Sequence, residues 1–517
     1  MNVAEERTKS LWMDTPVTKV PSLDGDHKAD VIIIGSGIAG LSTAYELAVR
    51  GRKVIVLDRG TIGSGMTAHT TAHLASAFDD RYADLIKARG VEAARVTYQS
   101  QASAIDRIEA IQREEKIKCD FARLDGYLFL APGVPASELD EELDACSQAG
   151  VPVFDTTDPT PLHTKNLVRS LRFPDQARFH PLKYLAGLTK AIQRHGGRLF
   201  ADTAVESALE ENDAVVVKTD KGTIRAADVV FATNSPIGGS VALHTKQAPY
   251  RTYVVAATLP TDSLTDALYW DTLDPYHYVR LQPHSERQNV VIIGGEDHKS
   301  GEADDGEARF AALERWARKR LPKMGKITHC WSGQVMEPVD YTGFIGRNGN
   351  DKHRYLITGD SGQGITNSVI GAMLVTDLIA TGRCSWEETY DPDRAMTDNV
   401  TDFLSENVTA IKSFAEYLTP GDISSIEGLK PGEGGIFRKG LKKLAACRDE
   451  GGELHVRSAT CTHMGCIVRW NSLEQCWDCP CHGSQFAPDG NPLNGPAVAP
   501  LAEASAVKEE AASKASA

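Results

Sequence analysis

A chain of 517 residues, 41% hydrophobic and 24% charged, has the composition of an ordinary globular protein and the length for two to four domains. Its formal net charge of −14 excludes the electrostatic footprint of a nucleic-acid binder or of a protein held on an anionic membrane. Residues 1–27 lack the apolar stretch of a secretory signal and no run of about 18 apolar residues stands out, so no membrane span and a cytoplasmic location are expected.

Residues 1–27 read as an irregular arm, with Ser10-Leu-Trp12 packing on the body. The β-branched run 29–34 then predicts a buried parallel strand. It leads into Gly35-Ser-Gly37-Ile-Ala-Gly40, a helix over Leu41–Arg50 and a second apolar run ending at Asp58, beside Arg59. Glycines between strand and helix let a pyrophosphate approach the helix N-terminus, and Asp58 is placed to accept from a ribose hydroxyl. A small polar loop follows, containing Thr67, His69, Thr71 and His73. Together these segments resemble the D-amino-acid oxidase and glycine oxidase family, which implies FAD. In that resemblance Thr67, His69 and Thr71 lie along the flavin, Val205 ends a strand beside it, and the turn Gly359-Asp-Ser-Gly362-Gln-Gly364-Ile365 contacts its ring. The segment 65–69 also resembles the one in dimethylglycine dehydrogenase where a histidine is bonded to the flavin, although Ala68 stands in place of that segment's tryptophan. A polar contact from His69 is therefore expected.

Between the cofactor segments, 119–175 and 245–330 are expected to form the substrate domain. Tyr276, Tyr278 and Arg280 alternate along one strand face and are the candidate substrate-binding residues, as hydroxyls and a guanidinium could hold a carboxylate. Trp331 and Gln334 are candidates for the cavity lining, and His277 reads as structural.

Residues 394–418 predict an amphipathic connector helix, followed by a Gly/Pro/Glu linker. Six of the ten cysteines lie between 447 and 481, a density that points to a cofactor. Cys461-Thr-His463 and Cys479-Pro-Cys481-His482 supply two thiolates and two imidazoles, the set a [2Fe–2S] centre of the Rieske type uses. Cys476-x-x-Cys479 also has the spacing of a zinc ribbon, the rival reading. The order CTHMGC…CPCHGS resembles the Rieske proteins of cytochrome bc complexes. That resemblance implies Cys461, His463, Cys479 and His482 as iron ligands, and a disulfide between Cys466 and Cys481. It also implies an outward edge on the ligand histidines, a bond from Ser484 to a bridging sulfide, and Phe486 where that family has a tyrosine.

The expected architecture is an α/β Rossmann-type FAD-binding domain with an interleaved α+β substrate domain, followed by an all-β Rieske domain. The expected bounds are 1–27 for the arm and 28–393 for the oxidoreductase, with FAD segments at 28–118, 176–244 and 331–393. Connector, Rieske domain and low-complexity tail follow at 394–425, 426–501 and 502–517. The implied function is flavin-dependent oxidation of an amine or amino acid, with electrons leaving singly through the cluster to a soluble carrier or quinone. The alternative is a flavin/iron–sulfur reductase component without small-amine turnover. Removing residues from about 426 onward is expected to leave flavin reduction by substrate intact while slowing turnover with a one-electron acceptor.

Overall fold

The computed structural model describes residues 6–157, 168–237, 241–395, 417, 419–440 and 442–504. Most of the expected connector helix and tail lie outside the described residues.

The strand Val31–Ile34 is buried at every position, as its unbroken β-branched run requires. It sits inside a six-stranded sheet, between Asp228–Phe231 on one side and Val54–Leu57 on the other, all parallel. Arg198–Phe200 extends the parallel set at one edge. Arg354–Thr358 and then the antiparallel Phe344–Arg347 extend it at the other. The helices Ile38–Val49, Pro181–Arg194 and Gly364–Thr381 contribute to the core built on this sheet.

Gly364–Thr381 is long and apolar enough to cross a membrane, an exception to the expectation that no such stretch exists. Ile365, Val369, Ile370, Leu374, Val375 and Leu378 are buried within the protein core. Its apolarity is accounted for by helix and sheet packing.

The substrate sheet has long antiparallel strands, Gln247–Pro260 flanked by Gln288–Lys299 and Ile327–Pro338, and Tyr278–Pro283 beside the second of these. Its far end joins Ala122–Phe129 and Ser170–Arg178. The helix Tyr82–Glu114 breaks at Gly90, whose φ of 81° is not helical. Residues 434–458 form a three-stranded meander, and Arg469–Asn471, Cys476–Asp478, Gln485–Phe486 and Pro492–Asn494 form a four-stranded sheet. Trp12 of the N-terminal arm is fully buried, and its indole donates to the carbonyl oxygen of Thr70 at 2.6 Å. The arm is thus part of the core around the His69 loop.

Candidate active site and cluster centre

The strand Val31–Ile34 delivers the chain into a turn that only glycine can make. Gly35 has a φ of 103°, and a Cβ there would lie 2.2 Å from the carbonyl oxygen of Ala232. A Cβ at Gly40 would lie 1.9 Å from the carbonyl oxygen of Gly35, so helix and strand meet at backbone distance. Gly37 caps the helix, and the next amide, of Ile38, donates to Thr67 Oγ1 at 3.0 Å. Asp58 accepts from the amide and hydroxyl of Ser36 at 2.9 and 2.5 Å.

A cavity of about 1360 Å³ opens from this turn. Gly35, Gly37, Asp58, Arg59, Thr67, His69, Thr71, Val205, Gly359, Gly362, Gly364 and Ile365 line it; Gly40 lies behind, as a packing contact. The glycine cradle, the helix N-terminus and the carboxylate at the strand end fit a dinucleotide such as FAD.

His69 is 2% exposed, with Nδ1 2.8 Å from the carbonyl oxygen of Ser332. That contact fixes the proton on Nδ1 and leaves Nε2, which has no partner, as an acceptor. Acid precipitation of the holoprotein is expected to release FAD into a yellow supernatant. A yellow pellet would mean a covalent bond.

At the other end of the cavity the substrate sheet contributes Tyr276 and Tyr278. The Tyr276 hydroxyl donates to Asp79 at 2.7 Å, and Tyr278 lies 2.7 Å from the Thr252 hydroxyl. Arg280 does not join them. Its guanidinium donates to the carbonyl oxygens of Ala72, Phe179 and Thr71 and lies 5.4 Å from the Trp12 ring, outside the cavity lining. Two residues along a strand are a step of about 6.6 Å, which carries Arg280 past the cavity and under the arm. Trp331 is likewise core, donating to the carbonyl oxygen of His69, whereas Gln334 lines the cavity. His277 stacks on Trp316, as a structural residue does.

Five carboxyls line this end instead: Asp79, Asp80, Asp297, Glu337 and Asp360. Among the described residues none pairs with a lysine or arginine within 4.0 Å, and Asp297 Oδ1 has no hydrogen-bond donor. Of the basic side chains in the lining, Lys87 pairs with Asp84 and Glu141, whereas Arg81 lies 3.6 Å from Glu138 with its Nη1 buried and unbonded. Burial pushes Asp79 and Asp360 up to about 6, Asp297 to about 7 and, aided by Asp79, Asp80 to about 8. Burial and Asp80 raise Glu337 as well.

In the C-terminal domain two matching loops face one another. In one, the amide of Gly465 donates to the carbonyl oxygen of Cys461 at 3.0 Å; in the other, Gly483 donates to Cys479 at 3.1 Å. A Cys466–Cys481 disulfide ties the loops together. The rings of His463 and His482 stand 5.1 Å apart, and His463 Nδ1 is buried without a partner, an atom suited to iron. The neighbouring Cys479 thiol, with the amides of His463 and Met464 and the Ser484 hydroxyl, lowers the Cys461 thiol to about 7 against its burial. Two thiols and two imidazoles on disulfide-pinned loops fit a [2Fe–2S] cluster.

A tighter group, Cys466, Cys479 and Cys481, contains both disulfide sulfurs and is no ligand set. Cys476, needed for a zinc ribbon, faces Asp478 and Glu6 at 3.7 and 3.9 Å and joins no such group. Ser484 accepts from the amide of Ala497, and Phe486 is fully buried. Phe486→Tyr is expected to raise the cluster potential, since a new donor favours the more negative reduced state by about 1 kcal/mol, or roughly 40 mV. Potentiometry checks this, and an unchanged potential would refute it.

The cluster domain is seated on the flavin domain. Asn491, Pro492, Leu493, Asn494, Val498 and Pro500 line the same cavity as the glycine cradle. Gln334 spans the seam, donating to the carbonyl oxygen of Gly483 at 2.9 Å and accepting from Asn494 at 2.7 Å. Arg251, 1% exposed, donates to Glu6 of the arm and Asp478 of the cluster domain and lies 3.8 Å from Glu474. His244, 3% exposed, packs its ring against both His463 and His482, at 4.5 and 5.8 Å. His244 thus covers part of the ligand histidines: His482 is 6% exposed, while His463 keeps a partly exposed face. Removal from 426 onward would strip Asn491, Pro492, Leu493, Asn494, Val498 and Pro500 from the cavity wall. Nothing local marks Arg251, Glu6 or His244 in the sequence; their partners lie hundreds of residues away.

Residues 30–378 match the family model described as FAD dependent oxidoreductase, and residues 422–505 match the Rieske [2Fe-2S] domain. The chain is 30% identical over 506 residues to YhfW, a Rieske 2Fe-2S iron-sulfur protein of Bacillus subtilis, covering 96% of this chain and 98% of that one. It is 24% identical to the gamma-glutamylputrescine oxidoreductase of Escherichia coli, over 72% of this chain and 89% of that one. The fold matches the crystal structure of glycine oxidase from Geobacillus kaustophilus with a TM-score of 0.61 at 20% identity, over 71% of this chain and 99% of that one. Cradle, cavity and paired loops thus converge with these similarities: the chain belongs to the FAD dependent oxidoreductase family, and carries a Rieske [2Fe–2S] domain behind the flavin enzyme.

Proposed function

We propose that this enzyme oxidises a cationic amine at the carbon next to nitrogen and delivers the electrons singly, by way of the cluster, to an external carrier or quinone. FAD, when bound, takes up a hydride, and the [2Fe–2S] cluster carries one electron at a time. The observation that supports this most is the shared wall: residues of the cluster domain line the flavin cavity, and Gln334 reaches from that cavity to the residue after His482. A chamber lined by tyrosines and carboxyls has no use in a bare reductase component, which favours amine turnover.

The chamber also selects among amines. Arg280 lies outside it, so no guanidinium from that strand meets a substrate carboxylate. The carboxyls of Asp79, Asp80, Asp297, Glu337 and Asp360 offer acceptors to a second ammonium, while Tyr276 holds Asp79 in place. Burial holds the four aspartates between about 6 and about 8 and raises Glu337 as well, so negative charge in the chamber grows across that window. The ratio of kcat/KM for a diamine to that for a monoamine of equal length is expected to rise on the order of tenfold from pH 6 to 8. Taking the ratio cancels ionisation of the reacting nitrogen. A flat ratio, or a preference for amino acids, would remove this reading.

A further inference from the structure

The seam holds three imidazoles where two would complete the cluster site. His463 and His482 come from the cluster loops; His244 comes from the flavin domain, at the end of a short turn leading into the strand Gln247–Pro260. His244 is not part of the cavity lining and, among the described residues, makes no ion pair. Its Nδ1 is buried and has no hydrogen-bond partner. An orphaned polar atom in such a place is destabilising, a cost that a phenylalanine or leucine of similar bulk would avoid. His463 Nδ1 is orphaned too, and it is the atom suited to iron. When one ring nitrogen of a neutral imidazole binds a metal, the other keeps the proton. His463 then presents an N–H at Nε2, in a ring 4.5 Å from one that carries an unused acceptor.

The close approach is built from both sides of the seam. A Cβ at Gly483 would lie 2.9 Å from Gln334 Nε2 and 3.0 Å from Pro249, so the loop carrying His482 meets the flavin domain at backbone distance. A Cβ at Gly301 would lie 3.0 Å from the Pro480 side chain on the same loop.

We infer that His244 is a positioning residue that accepts, at Nδ1, a hydrogen bond from a cluster-ligating imidazole, and by doing so sets the potential of the cluster while it is seated on the flavin domain. An acceptor on the ligand's N–H makes that imidazole a stronger donor to iron, which favours the oxidised cluster. Loss of that acceptor then raises the potential. This rests on the proposed relay only for its purpose, and the measurement needs no amine.

The test is potentiometry of the full-length holoprotein, followed by electron paramagnetic resonance, for wild type, His244→Phe and His244→Asn. Phenylalanine keeps the ring and removes the acceptor; asparagine returns an acceptor near the position of Nδ1. His244→Phe is expected to shift the reduction equilibrium about tenfold toward the reduced cluster, about 59 mV for one electron, and to move the g-values. His244→Asn is expected to remain within threefold of wild type. An unchanged potential in His244→Phe, or an equal shift in both variants, would overturn the inference. Photoreduction of the bound flavin in the same wild-type sample tests the relay separately. Failure of the cluster to bleach afterwards would sink the relay and leave the potential result standing.

Discussion

Cys479→Ser is expected to abolish the iron–sulfur absorption and the electron paramagnetic resonance signal, leaving the flavin spectrum. Cys479 is 1% exposed, faces Cys461 across the cluster position, and is held by the amide of Cys479 donating to the carbonyl oxygen of Ser484 at 2.8 Å. A serine there keeps the loop but loses the soft thiolate that ferric iron needs. In anaerobic mixing, substrate should still bleach the flavin, because the Cys466–Cys481 disulfide continues to hold the loops that back the cavity wall. Turnover with a one-electron acceptor should fall on the order of 100-fold or more, since loss of a ligand exceeds the loss seen when only an outer partner is removed. Wild type should reduce that acceptor much faster than it forms peroxide. Two results would contradict this account: a cluster that survives in Cys479→Ser but not in Cys466→Ser, or wild-type peroxide formation as fast as substrate loss.

The second large effect belongs to Arg251. Its guanidinium is the one cation of the buried network with Glu6, Glu474 and Asp478 among the described residues, and it also donates to the Ser332 hydroxyl at 2.5 Å. Burial, followed by the attraction of Arg251, sets Glu6, whose carboxyl is pushed up to about 8. Removing the arginine leaves three carboxyls in a dry seam, a loss of about 3–5 kcal/mol for breaking a buried pair. Arg251→Met is therefore expected to release the cluster domain from the flavin domain well below the denaturant concentration that unfolds wild type. Limited proteolysis and denaturant titration read this directly, and a change below about 1 kcal/mol would show the network to be dispensable. Adding Glu474→Gln should recover part of the loss, because the uncompensated charge is what costs.

The parts of this molecule that were legible in sequence are those whose chemistry is local. Gly35, Gly37 and Gly40 announce themselves because a turn between strand and helix needs residues without Cβ atoms within six positions. The paired loops around Cys461 and Cys479 are legible because ligands and disulfide lie within 22 residues. The misplacement of Arg280 shows the limit. Alternation assigned it correctly to a strand, but a strand face is not one environment: Tyr278 meets the cavity and Arg280 meets Trp12, a residue 268 positions earlier. Helix Gly364–Thr381 shows the same limit in another form, since apolar length alone does not separate a core helix from a membrane-spanning one. His244, Glu6 and Arg251 carry no local signature, because each acts on a partner from another segment of the chain.

The cavity wall made by residues 491–500 has a consequence for how the protein is made. This segment is the last described part of the chain to leave the ribosome, whereas the glycine cradle is among the first. Arg59 beside the cradle donates to the carbonyl oxygen of Pro492, so the mouth near Asp58 acquires its final side only when the C-terminal domain folds back. Throughout synthesis the cradle stands open on that side, and domain closure comes afterwards. Order of synthesis alone therefore gives flavin loading precedence over iron–sulfur assembly, and a cell short of riboflavin would complete a cluster domain against an unfilled groove.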